Sequence, residues 1–77
     1  MYKLYVIDKI DVTDDQLIII SDGIEYKFKL SEVSERLEHA SSEEKKDFIV
    51  SPSGYGIHWP RIDEDISIHE LLHNLIK

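Results

Sequence analysis

The chain has no cysteine, which excludes a disulfide framework and any thiolate metal site. It has no apolar run near the roughly 18 residues that a membrane-spanning helix needs, and its first residues lack a basic segment followed by an apolar one. A cytoplasmic protein with no membrane partner is therefore expected. Cations are scarce: 9 lysines and arginines stand against 16 aspartates and glutamates, for a formal net charge of −7. Without clustered cations to displace counterions, direct binding to nucleic acid is not expected. The acidic residues are spread along the chain, where they favour solubility and can steer a basic partner. No repeat, low-complexity segment, glycine-rich phosphate loop or recognisable serine nucleophile is present. Seventy-seven residues leave no room for a linker and a second core, so a single domain over residues 1–77 is expected. A core of this size is commonly supplemented by dimerisation.

Periodicity supplies the elements. Leu4, Val6, Ile10 and Val12 alternate with Lys3, Tyr5, Ile7 and Lys9, which predicts a strand from Lys3 to Val12. Leu17 to Ile20 is a β-branched run, and Ile24, Tyr26, Phe28 and Leu30 alternate with charged residues. Between them, Asp22-Gly23 suits the two positive-φ positions of a type I′ turn, a strong hairpin signal. That turn sets a register in which Ser21 faces Ile24, Ile19 faces Tyr26 and Leu17 faces Phe28, all toward the core. Ile18 and Ile20 then point the other way, beside Lys27 and Glu25. With Tyr5 and Ile7 they form an apolar outer strip, a candidate homodimer interface; the alternative is a helix of the same chain covering it.

Ser31 is placed to cap a helix carrying Val33, Leu37 and Ala40. Ser41 and Glu44 form a capping box for a second, short helix. Phe48 and Val50 mark a strand within Asp47 to Ser51, Pro52-Ser53-Gly54 a turn, and Tyr55 to Trp59 a return strand stopped by Pro60. Ile68, Leu71, Leu72, Leu75 and Ile76 form the apolar stripe of a last helix. The fold class expected is α+β, in the order βββααββα: three amino-terminal strands and a second hairpin in a small antiparallel sheet, with helices packed on it.

His69-Glu70-Leu71-Leu72-His73 matches the zinc-protease motif, in which two histidines one turn apart hold the metal and the glutamate activates its water. The same residues also spell a helix start. Ser67 and Glu70 form a capping box, with Ile66 and Leu71 as its hydrophobic staple. A catalytic zinc needs a third protein ligand, and only His58, Asp63 or Asp65 could loop back to supply one. The helix start is the preferred reading, with zinc-dependent hydrolysis as the alternative. Asp63-Glu64-Asp65 lacks the glycine and distal glutamate of a calcium loop and reads as acid before a helix amino terminus. His39 lies near a helix carboxyl end and suggests no chemistry. Trp59 reads as a core residue. No catalytic residue, cofactor or metal site is expected.

Gly56, Ile57, Trp59, Pro60, Asp63, Asp65, Leu71 and Leu72 together resemble the pattern of the bacterial domain of unknown function 2442 family, and the Asp22-Gly23 hairpin resembles its first hairpin. The resemblance spans nearly the whole chain. It implies a small α+β fold, no established enzymatic activity and no cofactor. Genes of this family often lie beside another small uncharacterised protein, an arrangement similar to a toxin–antitoxin pair. Some relatives append a helix-turn-helix domain; this chain stops at Lys77, so that route to DNA is not expected. The expectation is a non-enzymatic, homodimeric protein-binding domain, the acidic, antitoxin-like partner of a small basic protein. A small-molecule-sensing domain is a further alternative, for which no pocket residues are named.

Overall fold

The Asp22-Gly23 turn organises the first half of the chain. In the computed structural model, which describes residues 6–52 and 54–75, Asp22 has φ 52° and Gly23 φ 77°, the pair of positive angles that a type I′ turn requires. The turn joins β2 (Gln16–Ser21) to β3 (Ile24–Lys29), with β1 (Ile7–Val12) on the other side of β2. The expected register holds: Ser21 opposes Ile24, Ile19 opposes Tyr26 and Leu17 opposes Phe28. Leu17, Ile19 and Val12 are buried.

The outer strip is smaller than expected. A register irregularity between Ile7 and Lys9 sets Ile7 opposite Ser21 while Lys9 opposes Ile20. One extra residue reverses the alternation of a strand, so Ile7 joins the core side, where it packs against the buried cluster. The inserted Asp8 is not idle, since its carboxylate accepts the Gly23 N–H at 3.1 Å. Tyr5 lies outside the described residues, as does the rest of the expected strand from Lys3. Ile18 and Ile20 remain on the outer face.

The expected first helix is two single turns, α1 (Leu30–Val33) and α2 (Glu35–Glu38), divided at Ser34, whose φ of −161° and ψ of 117° are extended. The cap is therefore Ser34 and not Ser31: its hydroxyl accepts the Leu37 N–H at 3.1 Å and donates to the Glu64 carboxylate. α3 (Ser42–Lys46) begins with the complete Ser41–Glu44 capping box. The backbone N–H of Ser41 holds the Glu44 carboxyl below its usual range. From α3, Ser42 donates to the Asp14 carboxylate at 2.8 Å and buried Lys45 donates to the Asp14 carbonyl at 2.7 Å. This short helix is thereby latched to the β1–β2 turn.

The second half is a sheet of its own, β4 (Ile49–Val50), β5 (Gly56–Trp59) and β6 (Glu64–Ser67), with β5 central. β6 corrects the reading of Asp63-Glu64-Asp65 as a pre-helical run. Asp63, at φ 51°, closes the turn after Pro60, and Glu64 and Asp65 already pair with Trp59 and His58. Arg36 secures that turn by donating to the Asp63 carbonyl at 2.9 Å. α4 (Ile68–Leu75) follows directly. The α+β class is as expected, divided between two three-stranded sheets.

One hydrophobic cluster joins the halves: Leu17 and Ile19 from the first sheet, Leu30 and Leu37 from the helices, Ile57 and Trp59 from the second sheet, Ile68 and Leu72 from α4. Trp59 is fully buried, packs on Phe48 with ring centroids 5.9 Å apart, and donates its indole N–H to the Lys45 carbonyl at 2.9 Å. A buried tryptophan needs such a partner. No helix among the described residues is long and apolar enough to cross a membrane.

Candidate functional site

Opposed residues of an antiparallel pair share a face, so register decides what the second sheet shows to solvent. Ile57 and Trp59 point inward and are buried. Gly56 and His58 therefore lie on the outer face, with their partners Ser67 and Asp65 on β6 and Ile49 on β4. Gly56, on the central strand, has no side chain to contribute. A Cβ there would stand 3.2 Å from the Ile66 carbonyl oxygen, tight enough to demand a backbone shift. The result is an open groove of about 730 Å³, floored at Gly56 and bordered by Ile49, Tyr55, His58, Asp65 and Glu70.

The groove combines apolar and polar lining residues. Ile49 is 59% exposed and Tyr55 57%, unusual exposure for large apolar groups gathered in one hollow. His58 Nδ1 lies 2.8 Å from Asp65 Oδ1 across the β5–β6 pair; the pair is too exposed to contribute more than about 1 kcal/mol. The Ser51 hydroxyl accepts the N–H groups of Tyr55 at 3.0 Å and Gly56 at 3.1 Å. It thereby shapes the β4–β5 turn and sets the angle at which Tyr55 stands.

The zinc-like motif sits on α4 at the edge of this groove. Ser67 accepts the Glu70 N–H at 3.2 Å, but among the described residues no bond returns from the Glu70 carboxylate to the Ser67 N–H. The expected capping box is thus half formed, and the Glu70 carboxylate borders the groove. Tyr55, His69 and His73 form a ladder of stacked rings, with centroids 6.1 and 5.8 Å apart and planes within 6° and 11°. Among the described residues no three His, Cys, Asp or Glu side chains gather to hold a metal ion. Of the third ligands considered, His58 and Asp65 are bonded to each other and Asp63 occupies a turn.

The block read from the sequence divides in three. Ile57, Trp59 and Leu72 are buried, and Leu71 packs against the same cluster. Pro60 and Asp63 belong to the β5–β6 turn. Gly56 and Asp65 line the groove. Sequence reasoning missed Ile49, Ser51 and Tyr55. Ile49 carried a signal, because alternation with inward Phe48 and Val50 places it outward. Tyr55 and Ser51 carried none, since the turn that brings them together is held by hydrogen bonds to the Ser51 hydroxyl and backbone that no local pattern announces.

The family described as "Protein of unknown function (DUF2442)" matches residues 7–77. The fold is similar to the crystal structure, at 2.75 Å resolution, of a protein of unknown function from Rhodospirillum rubrum ATCC 11170. The two share 24% identity over 94% of this chain and 89% of that one, with a TM-score of 0.72, which establishes the fold alone. No curated protein matches.

Proposed function

The chain belongs to the DUF2442 family, and on that premise we propose a non-enzymatic, cytoplasmic protein-binding domain whose groove receives an apolar side chain from a small basic partner. The observation that carries this reading is the pairing of two exposed apolar groups, Ile49 and Tyr55, with a floor left open at Gly56. An inserted side chain would be covered by both and would exclude water, which is how interface anchors gain most of their energy. Asp65 and Glu70 on the border, within a chain of net charge −7, favour lysine or arginine flanking that anchor. An antitoxin-like role follows if a small basic protein is encoded beside it and is that partner.

Co-expression with that neighbour tests the reading. A complex should form and growth should be rescued, and a Tyr55→Ala, Gly56→Val variant that keeps its circular dichroism should lose both. No complex and no rescue with the wild type would overturn the proposal.

A further inference from the structure

The first sheet presents a different outer face. By register, Lys9, Ile20 and Glu25 form one row across the three strands, and Asp11, Ile18 and Lys27 form the next. Each isoleucine stands between a cation and an anion, and the signs reverse from one row to the other. Among the described residues the hollow over the two isoleucines is lined by strand residues alone. α4 does not cover it, because Ile68 and Leu72 are buried with Leu17 and Ile19 on the opposite side of the sheet.

We infer that this face binds a second copy of itself, forming a two-fold homodimer centred on Ile18 and Ile20. Four charges of alternating sign at the corners of a rectangle are self-complementary when the face is turned over. About an axis along the central strand, Lys9 meets the second copy's Glu25 and Asp11 meets its Lys27. About an axis across the strands, Lys9 meets Asp11 and Glu25 meets Lys27. In both arrangements every corner finds its opposite and isoleucine meets isoleucine. Both also keep the strand directions aligned, as face-packed antiparallel sheets do to within about 30°, and a two-fold contact requires this self-complementarity.

The rest of the molecule favours this location. Two chains of net charge −7 repel each other, but these four charges sum to zero, so copies approach here at least cost. Size sets the affinity. Six residues at about 3.4 Å by three strands at about 4.8 Å give roughly 300 Å² a side, well below the roughly 800 Å² of a stable complex. The dimer should therefore be weak, forming only as concentration approaches the millimolar range.

Sedimentation over a concentration series tests this. The wild type should pass from 9.0 kDa to twice that mass, and Ile18→Thr, Ile20→Thr, which keeps strand propensity, should weaken association by at least about tenfold. Glu25→Lys alone should also weaken it. Two charge swaps that leave net charge unchanged then fix the axis. Lys9→Glu, Glu25→Lys restores association if the axis runs along the strands, and Lys9→Glu, Asp11→Lys if it runs across them. A wild type that stays monomeric into the millimolar range, a threonine variant that associates undiminished, or failure of both swaps would overturn the inference. Tyr55→Ala in the groove should leave association unchanged, so this test is independent of the proposed partner.

Discussion

The two sheets share one core yet differ on their outer faces, and the difference comes from a few positions on and beside their central strands. β2 carries Ile18 and Ile20 outward between charged neighbours, which leave only a small hollow over them. β5 carries Gly56 and His58 outward, and beside it β4 is only two residues long, so the face is hollow. The face with alternating charge is the one inferred to receive a copy of itself. A hollow one needs a partner of another shape. In a small domain every inward position is taken by the core, so outward positions are where two sheets can acquire different roles.

The largest effect should separate inner from outer positions. Trp59→Ala should cost about 3–5 kcal/mol, because it empties a fully buried site shared by both sheets and leaves the Lys45 carbonyl without its indole donor. At concentrations where the protein is monomeric, Ile18→Thr should cost less than about 1 kcal/mol. Denaturant titration checks both. Equal costs would mean that the outer face of the first sheet is packed after all.

The next effect separates the helix starts that serve the two sheets. α3, latched to the first sheet, has a complete capping box, whereas α4, which grows out of the second, has half of one. Ser41→Ala and Ser67→Ala should each cost about 1 kcal/mol. Ser41→Ala combined with Glu44→Ala should be strongly non-additive, because the two remove one reciprocal interaction. Ser67→Ala with Glu70→Ala should add to within about 0.5 kcal/mol. Double-mutant cycles by thermal denaturation decide, and non-additivity at α4 would show that its box closes in solution.

A smaller effect follows from the Glu44 carboxyl, which Ser41 holds below its usual range. Because its folded value is depressed, its contribution to stability is present above the unfolded value of about 4.3 and is lost as pH falls through the folded one. Glu44→Gln should therefore lower stability at neutral pH and flatten the acid limb of the stability–pH curve, so that variant and wild type converge at low pH. An unchanged acid limb would contradict the Ser41 bond.

The smallest expected effect is none. Untagged protein treated with a chelator should keep its melting temperature, because the zinc-like motif contributes a half-formed cap and a ring ladder to the groove edge. A fall in melting temperature, with zinc near one per chain, would instead place a metal beside Tyr55 and turn the comparison of the two faces toward chemistry.

Much of this was legible in the residues. Asp22-Gly23 set a register that placed Leu17 and Ile19 inward and Ile18 and Ile20 outward. Ser41 and Glu44 announced a capping box, and Trp59 a core position. The groove was not legible. Its members come from Ser51, Tyr55, Asp65 and Glu70 on four segments, and its emptiness is a property of Gly56, where there is nothing to read.

Alternation and turn chemistry act over a few residues, so the sequence by itself determined the hairpin, its register and the inward faces of the strands. Ile7 was turned inward by an irregularity that depends on Asp8 reaching Gly23 across the sheet. Ser34 was made a cap, and the first helix divided, where Glu64 from a distant strand accepts a hydrogen bond from its hydroxyl. Asp63 to Asp65 became a turn and a strand because β5 offered a partner edge and Arg36 a donor. These outcomes rest on hydrogen bonds between residues far apart in the chain, and only the tertiary structure could decide them.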